Sequence, residues 1–185
     1  MKRLSKFPRV PANDGSAEYT EEESLPVAKD HTAGLTIRLA RHTDLEALVA
    51  IFAADDVGGH GDTTDPDALP AYRAAFDRIA ANPFDTLYVA ELDGAVVGTF
   101  QTTRGTSLAS RGASYLTIGA VQTRADKRGL GIGAEMMRYA IERGRDAGAS
   151  SIKLTSNNDR GDAHRFYKRL GFKQSHAGFK MKLRD

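Results

Sequence analysis

The amino-acid sequence predicts a single mixed α/β domain, and three observations carry that expectation. Strand-like and helix-like runs follow one another in the order β-α-α-β-β-β-α-β-α-β, which is not the regular βα alternation of an all-parallel doubly wound sheet. Two of the runs, TLYVAEL and AVVGTFQTT, flank Asp93-Gly94, a residue pair that favours a tight antiparallel hairpin turn. The chain has 185 residues, 41% of them hydrophobic, enough for one domain with a real core and a tail.

Residues 1–33 read differently from the rest. They hold Pro8 and Pro11, a basic start, the acidic run EEES and no sustained apolar period, so a solvated N-terminal extension is expected before a domain at 34–185. LTIRLA (35–40) is the first strand. Thr43 is the expected N-cap of the first helix, with Glu46 completing a capping box. Leu45, Leu48, Val49, Phe52 and Ala53 then recur at helical spacing. VGGHGDTTDPD (57–67) ends that helix, and Asp65 before Pro66 starts a second, with Leu69, Tyr72, Phe76 and Ile79 on one stripe. After the hairpin comes the strand SYLTIGAVQT (114–123). A helix runs to about Ala147 with Met136, Met137, Ala140 and Ile141 on one face. The strand SIKLTS (151–156), a helix through DAHRFYKRLGF and a final strand in HAGFKMKLR close the order.

Composition removes several function classes. With no cysteine there is no disulfide, zinc thiolate site or cysteine nucleophile, and a reducing cytoplasm fits. No metal-ligand spacing is visible. Net charge is +2 with the two signs interspersed, which argues against a nucleic-acid or membrane partner. The basic start has no apolar run behind it, so it is not read as a secretory signal.

One segment carries chemistry. In RADKRGLGIGAEMM (124–137), glycines stand at 129, 131 and 133, directly behind Arg124, Lys127 and Arg128. This G-x-G-x-G spacing is neither the dinucleotide-fold fingerprint nor a Walker loop. It falls where a strand hands over to a helix, and such a junction offers free backbone N–H groups and the positive end of a helix dipole. Glycine lets a bulky anion come close, so a phosphate or pyrophosphate is the natural guest. A tight turn with a solvated basic edge is the other reading.

QTRADKRGLGIGAEMM resembles the acyl-coenzyme A binding motif [RQ]-x-x-G-x-[GA] of the GCN5-related N-acetyltransferases (GNAT), and DAHRFYKRLGF (162–172) resembles that family's second block. The two stand in the right order with a strand between them. The resemblance covers residue 35 to the end. It implies a GNAT-like fold: a mixed, mostly antiparallel sheet that splays after its fourth strand, flanked by about four helices. It implies acetyl-CoA as cosubstrate. Backbone groups of Val121, Gln122 and Thr123 would pair with the pantetheine arm, and Arg128 with the amides of Gly129, Leu130, Gly131, Ile132, Gly133 and Ala134 would hold the pyrophosphate. A backbone N–H near Val121 would polarise the thioester carbonyl. Homodimers are frequent in the family.

Tyr167 matches the family tyrosine that protonates the departing thiolate, although Ala163, Phe166, Tyr167 and Leu170 also form a helical stripe that could place it in the core. The family's usual general base, a glutamate on the fourth strand, falls at or near Gly119, which cannot take a proton. His60, Glu91 and Asp62 are weaker candidates, and His164 reads as a packing residue. Where relatives carry a coenzyme-contacting asparagine seven residues before the tyrosine, this chain has Arg160; Asn157 or Asn158 could replace it, and Asn157 is preferred. Arg160, Arg165 and Lys168 could meet coenzyme phosphates or form a solvated helix face. The acidic residues of the 57–67 segment would suit a cationic acceptor. The leading expectation is direct acetyl transfer to a primary amine of a small molecule or peptide. The alternative is an acyl-CoA-binding module or sensor without turnover.

Overall fold

The computed structural model describes residues 31–55 and 61–183. The expected extension at 1–33 therefore lies outside the described residues except for its last three positions, and His60 lies outside them altogether. Five strands form one sheet in the order β1-β2-β3-β4-β5: β1 (Thr36–Leu39), β2 (Asp85–Leu92), β3 (Ala95–Thr106), β4 (Ser114–Thr123) and β5 (Ser151–Leu154). Neighbours are antiparallel as far as β4, and β4 and β5 are parallel. The helices are α1 (Leu45–Ala53), α2 (Leu69–Ala81), a four-residue turn α3 (Ala109–Gly112), α4 (Ile132–Asp146) and α5 (Gly161–Arg169). Among the described residues, no helix is long and apolar enough to cross a membrane.

Local rules account for most of this order. The β2–β3 hairpin turns on Asp93 (φ 52°) and Gly94 (φ 75°), the two left-handed positions that a two-residue loop of this hand requires. The two faces of the sheet carry separate clusters, because successive residues of β2 point to opposite sides. Tyr88, Ala90 and Leu92 join Val97, Phe100, Ile118 and the α4 residues Ile132, Met136, Met137 and Ala140, with Phe166, Tyr167 and Leu170 of the α5 segment against them. Val89 and Leu87 instead join Leu45, Leu48 and Val49 of α1 and Phe76 of α2. The helical stripes read from the sequence are the faces that pack.

Two expectations are corrected. The first concerns the start of α1. Leu45 follows a single 3-10 turn, His42–Asp44, and it is the Asp44 carboxylate that accepts the Arg41 N–H at 2.7 Å, not a Thr43–Glu46 box. Arg38 of β1 donates to both Asp44 oxygens, at 2.7 and 2.9 Å, and to Glu91 of β2 at 2.6 and 2.8 Å. This network holds the entry of α1 against the sheet edge, and a carboxylate there outcompetes a threonine hydroxyl as acceptor because charge-assisted bonds are stronger. It also pairs Glu91 with the Arg38 guanidinium.

The second correction is the final strand. Residues 173–183 form no strand, and Phe179, Met181 and Leu183 are 98%, 82% and 87% exposed. Alternation of apolar residues specifies a strand only where a ladder forms beside a covered face, and among the described residues this segment pairs with no strand.

The Arg38 guanidinium holds the Asp44 carboxyl below its ordinary range, against the opposing effect of burial. A depressed carboxylate contributes stability above its unfolded value and loses it as pH falls through the folded one. Arg38→Met should cost about 3 kcal/mol at neutral pH, since it strands a buried carboxylate; urea unfolding measures this. Wild-type stability should fall as pH drops below about 4, and the fall should be shallower in Asp44→Asn.

Candidate active site

The site is built where β4 and β5 part. β5 pairs with β4 only from Tyr115↔Ser151 to Ile118↔Leu154, while β4 stays bonded to β3 as far as Gly98↔Thr123. Gly119 to Thr123 therefore run on with one edge free of a strand. The register to β3 slips in the same stretch: Gly119 opposes Gln101 and Gln122 opposes Thr99, so β4 holds an extra residue. Ala120 (φ 50°) sits in that bulge in a conformation that L side chains rarely adopt. The sequence-expected contacts Val121, Gln122 and Thr123 line this edge.

The glycine segment lies just beyond. After the 3-10 turn Ala125–Lys127 the chain passes Gly129 (φ 78°) and Gly131 (φ 87°), and α4 begins at Ile132. Gly131 is the N-cap in the left-handed region, where a side chain would be strained. Among the described residues none accepts from the amides of Gly131, Ile132 and Gly133, while Ala134 N–H already donates to Gly131 O at 2.9 Å. The N-terminal turn of a 15-residue helix thus presents a short run of open donors at the positive end of its dipole. These amides fit the pyrophosphate that the resemblance calls for. Arg128 donates from Nε to Thr123 O at 3.2 Å, which ties the cradle back to the end of β4. A Cβ placed on Gly133 would stand 3.4 Å from the Phe166 ring and 3.7 Å from Thr123 Oγ1, so this position joins both sequence motifs to β4.

Tyr167 is half-buried on α5, with its ring 5.1 Å from Phe166 and 5.9 Å from Phe172. It belongs to the core face, as its helical stripe suggests, and its hydroxyl has no hydrogen-bond partner among the described residues. Burial pushes the phenol above its ordinary value, and the nearby Arg160 guanidinium pulls it back in part. The group stays protonated through neutral pH, the state a proton donor needs.

The structure also assembles a polar cluster that sequence reading did not find. Asp55, just past α1, accepts from Gln122 Nε2 at 2.7 Å and pairs with Arg160 at the start of α5. These three residues come from opposite faces of the sheet and meet at the parting of the strands. Arg160 is thereby engaged by a carboxylate through one guanidinium nitrogen. Nothing in AADD marks Asp55, because its partners lie 67 and 105 residues away.

The remaining candidates have local duties. Asn157 Oδ1 accepts from Asp159 N–H at 3.1 Å, forming the turn that precedes α5, and Asn158 is exposed. Asp62 accepts from the Tyr72 hydroxyl at 3.0 Å, and Asp65 caps the turn before α2 by accepting from Asp67 N–H at 2.9 Å. Arg165 pairs with Asp162 on the exposed face of α5, His164 is half-buried, and Lys168 is exposed.

Because Arg160 lowers the Tyr167 phenol, Arg160→Met should move that titration further up. Ultraviolet titration of the tyrosines, with Tyr167→Phe used to assign the signal, measures the shift.

Comparison with known proteins agrees with this geometry. The acetyltransferase (GNAT) family profile matches residues 45–172. A solved structure described as a transcriptional regulator from Bacillus halodurans C-125 is 38% identical, with a TM-score of 0.77 over 80% of this chain and 99% of that one. Glucosamine-6-phosphate N-acetyltransferase from Arabidopsis thaliana shares the fold at 13% identity, with a TM-score of 0.66 over 81% of this chain and 99% of that one. Aminoalkylphosphonate N-acetyltransferase of Salmonella typhimurium is 50% identical over 52 residues, a stretch that spans 28% of this chain and 34% of that protein. With both sequence motifs meeting at the parted strands and the family profile spanning most of the chain, the protein belongs to the acetyltransferase (GNAT) family.

Proposed function

We propose that this chain transfers the acetyl group of acetyl-CoA directly to a primary amine of a small molecule or peptide. The observation that carries the reading is the convergence, at one end of the sheet, of a free β4 edge, an amide-lined helix start and a desolvated tyrosine. The backbone of Val121, Gln122 and Thr123 would receive the pantetheine amides as an added strand. The amides of Gly129 to Gly133, with Arg128 behind them, would hold the pyrophosphate, and Asn157 would flank the coenzyme.

The thioester supplies the acetyl group. The amine nitrogen uses its lone pair to form the new bond to the carbonyl carbon, while a backbone N–H near Val121 stabilises charge on the carbonyl oxygen. The carbon–sulfur bond breaks with its electron pair on sulfur. Tyr167 gives the departing thiolate its proton and regains one from water. Gly119 carries no base, so water takes the proton that the amine must lose. The acceptor class is supported by the relative named for an aminoalkylphosphonate and by a neighbour of the same fold, AAC(6')-Iy, whose structure holds a bisubstrate analog of CoA and acetylneamine. The cysteine-free composition is in keeping with a cytoplasmic site of action.

The bare position at Gly119 also favours a second reading, a coenzyme-binding module without turnover. Thiol release measured over a panel of primary amines separates the two: coenzyme A binding with no release from any amine would sink the transfer reading.

Two substitutions test the roles. Tyr167→Phe should lower kcat by about a hundredfold while leaving coenzyme A binding within about twofold; an unchanged kcat and pH–rate profile would overturn the acid role. Gly131→Val cannot adopt the cap conformation without strain, and should weaken coenzyme A binding, measured by calorimetry, by at least about tenfold.

A further inference from the structure

Three glycines lie within β3 and β4, and the fold accounts for two of them. A Cβ on Gly98 would stand 3.0 Å from Met136 Sδ and 3.1 Å from Gln122 O, and one on Gly105 would stand 2.4 Å from the Tyr115 ring. Gly119 is different. Its φ is not in the left-handed region, and among the described residues an added Cβ would meet nothing within 4 Å. Packing among those residues does not ask for glycine here. Glycine weakens a strand interior, and it marks either a bulge, such as the one that begins here, or the close approach of a ligand to the backbone.

The surroundings say which side that ligand occupies. Residues directly opposite one another in an antiparallel pair share a face, so Gly119 lies with Gln101, and Gln122 lies with Thr99. Phe100 and Ile118 point the other way, into the cluster with α4. Gly119 therefore belongs to the face on which α1 packs, the side from which Asp55 reaches Gln122. The strained Ala120 comes next, and Val121 stands two residues on. The result is a patch of bare strand backbone, bordered by the Gln122–Asp55–Arg160 cluster and beside the edge assigned to the donor.

We propose that Gly119 determines acceptor specificity: its missing side chain opens the floor of the acceptor pocket to amines whose nitrogen sits on a branched carbon. This rests on the transfer reading above. On this proposal the donor thioester would lie along the edge at Val121, and the acceptor would approach over Gly119 from the α1 face. A branch next to the nitrogen would then point at β4, where a side chain at 119 would meet it. Hydrophobic exclusion of a single methyl group discriminates by about 10- to 200-fold, which sets the size of the expected effect.

The test compares wild type, Gly119→Ala and Gly119→Val, using matched probes: butylamine against sec-butylamine, and 2-aminoethylphosphonate against 1-aminoethylphosphonate. Calorimetric binding of coenzyme A and the thermal midpoint are measured alongside. Both variants should fold with an unchanged or raised midpoint, because the added methyls meet none of the described residues, and should bind coenzyme A within about twofold of wild type. In a pair that wild type uses, kcat/KM for the branched member should fall at least about tenfold more than for the unbranched one. An equal loss on both members would overturn the proposal, as would a lowered midpoint or weakened coenzyme binding, since each marks a backbone role. Wild type that acetylates only unbranched amines would refute this inference and leave the transfer reading standing. Wild type that acetylates none of these probes but releases coenzyme A with another amine of the wider panel would overturn the specificity proposal alone, and no release with any amine of that panel would overturn both.

Discussion

The mismatch in length between two neighbouring strands governs this protein. β4 has ten residues and β5 only four, so their parallel ladder stops at Ile118↔Leu154. Beyond β5 the chain turns at Asn158 and Asp159, where Arg160 N–H donates to Asn157 O and the Asn157 side chain accepts from the backbone two residues on. β4 continues because the longer β3 still holds its other edge. Peptide groups in such a stretch need partners, and a chain of amides from a ligand can supply what the fifth strand does not. The bulge at Ala120 belongs to the same event, re-aiming the backbone at the point where the ladder fails.

The rest of the site is arranged around that gap. The start of α4 places its open amides just past the end of β4, and Arg128 ties the connection to Thr123. The α5 segment brings Tyr167 in from one face, and the end of α1 brings Asp55 from the other. Their link, the Asp55–Arg160 ion pair with Gln122 beside it, is possible only where no strand intervenes. A cation near a buried phenol offsets part of the desolvation that otherwise raises it. Electrostatics and topology are thus coupled through a single opening.

What could be read directly from the residues was local. Asp93-Gly94 announces a hairpin because few residue pairs tolerate two left-handed positions in succession. Met136, Met137 and Ala140 announce one buried helix face, and Leu45, Leu48 and Val49 another, because burial repeats with the helical turn. The glycine run marks a tight turn into α4 because Gly129 and Gly131 adopt conformations that other residues avoid. The start of α1 was misread because Arg38, Asp44 and Glu91 meet only once β1 and β2 pair, and their charges outweigh the weaker hydroxyl cap. The alternating apolar tail was misread because strand pattern is a statement about a partner, and Phe179 to Leu183 have none.

By itself the sequence determined the order of elements as far as the last helix, the hairpin, the helix faces and the glycine turn before α4, all of which depend on residues within a few positions of one another. The tertiary structure decided where the β4–β5 ladder stops, which carboxylate meets Arg160, and that none of the described residues covers the backbone at Gly119. Those depend on contacts between segments as far apart as residues 55 and 160. Side-chain periodicity can specify a face, but it carries no record of which distant charge will arrive on it.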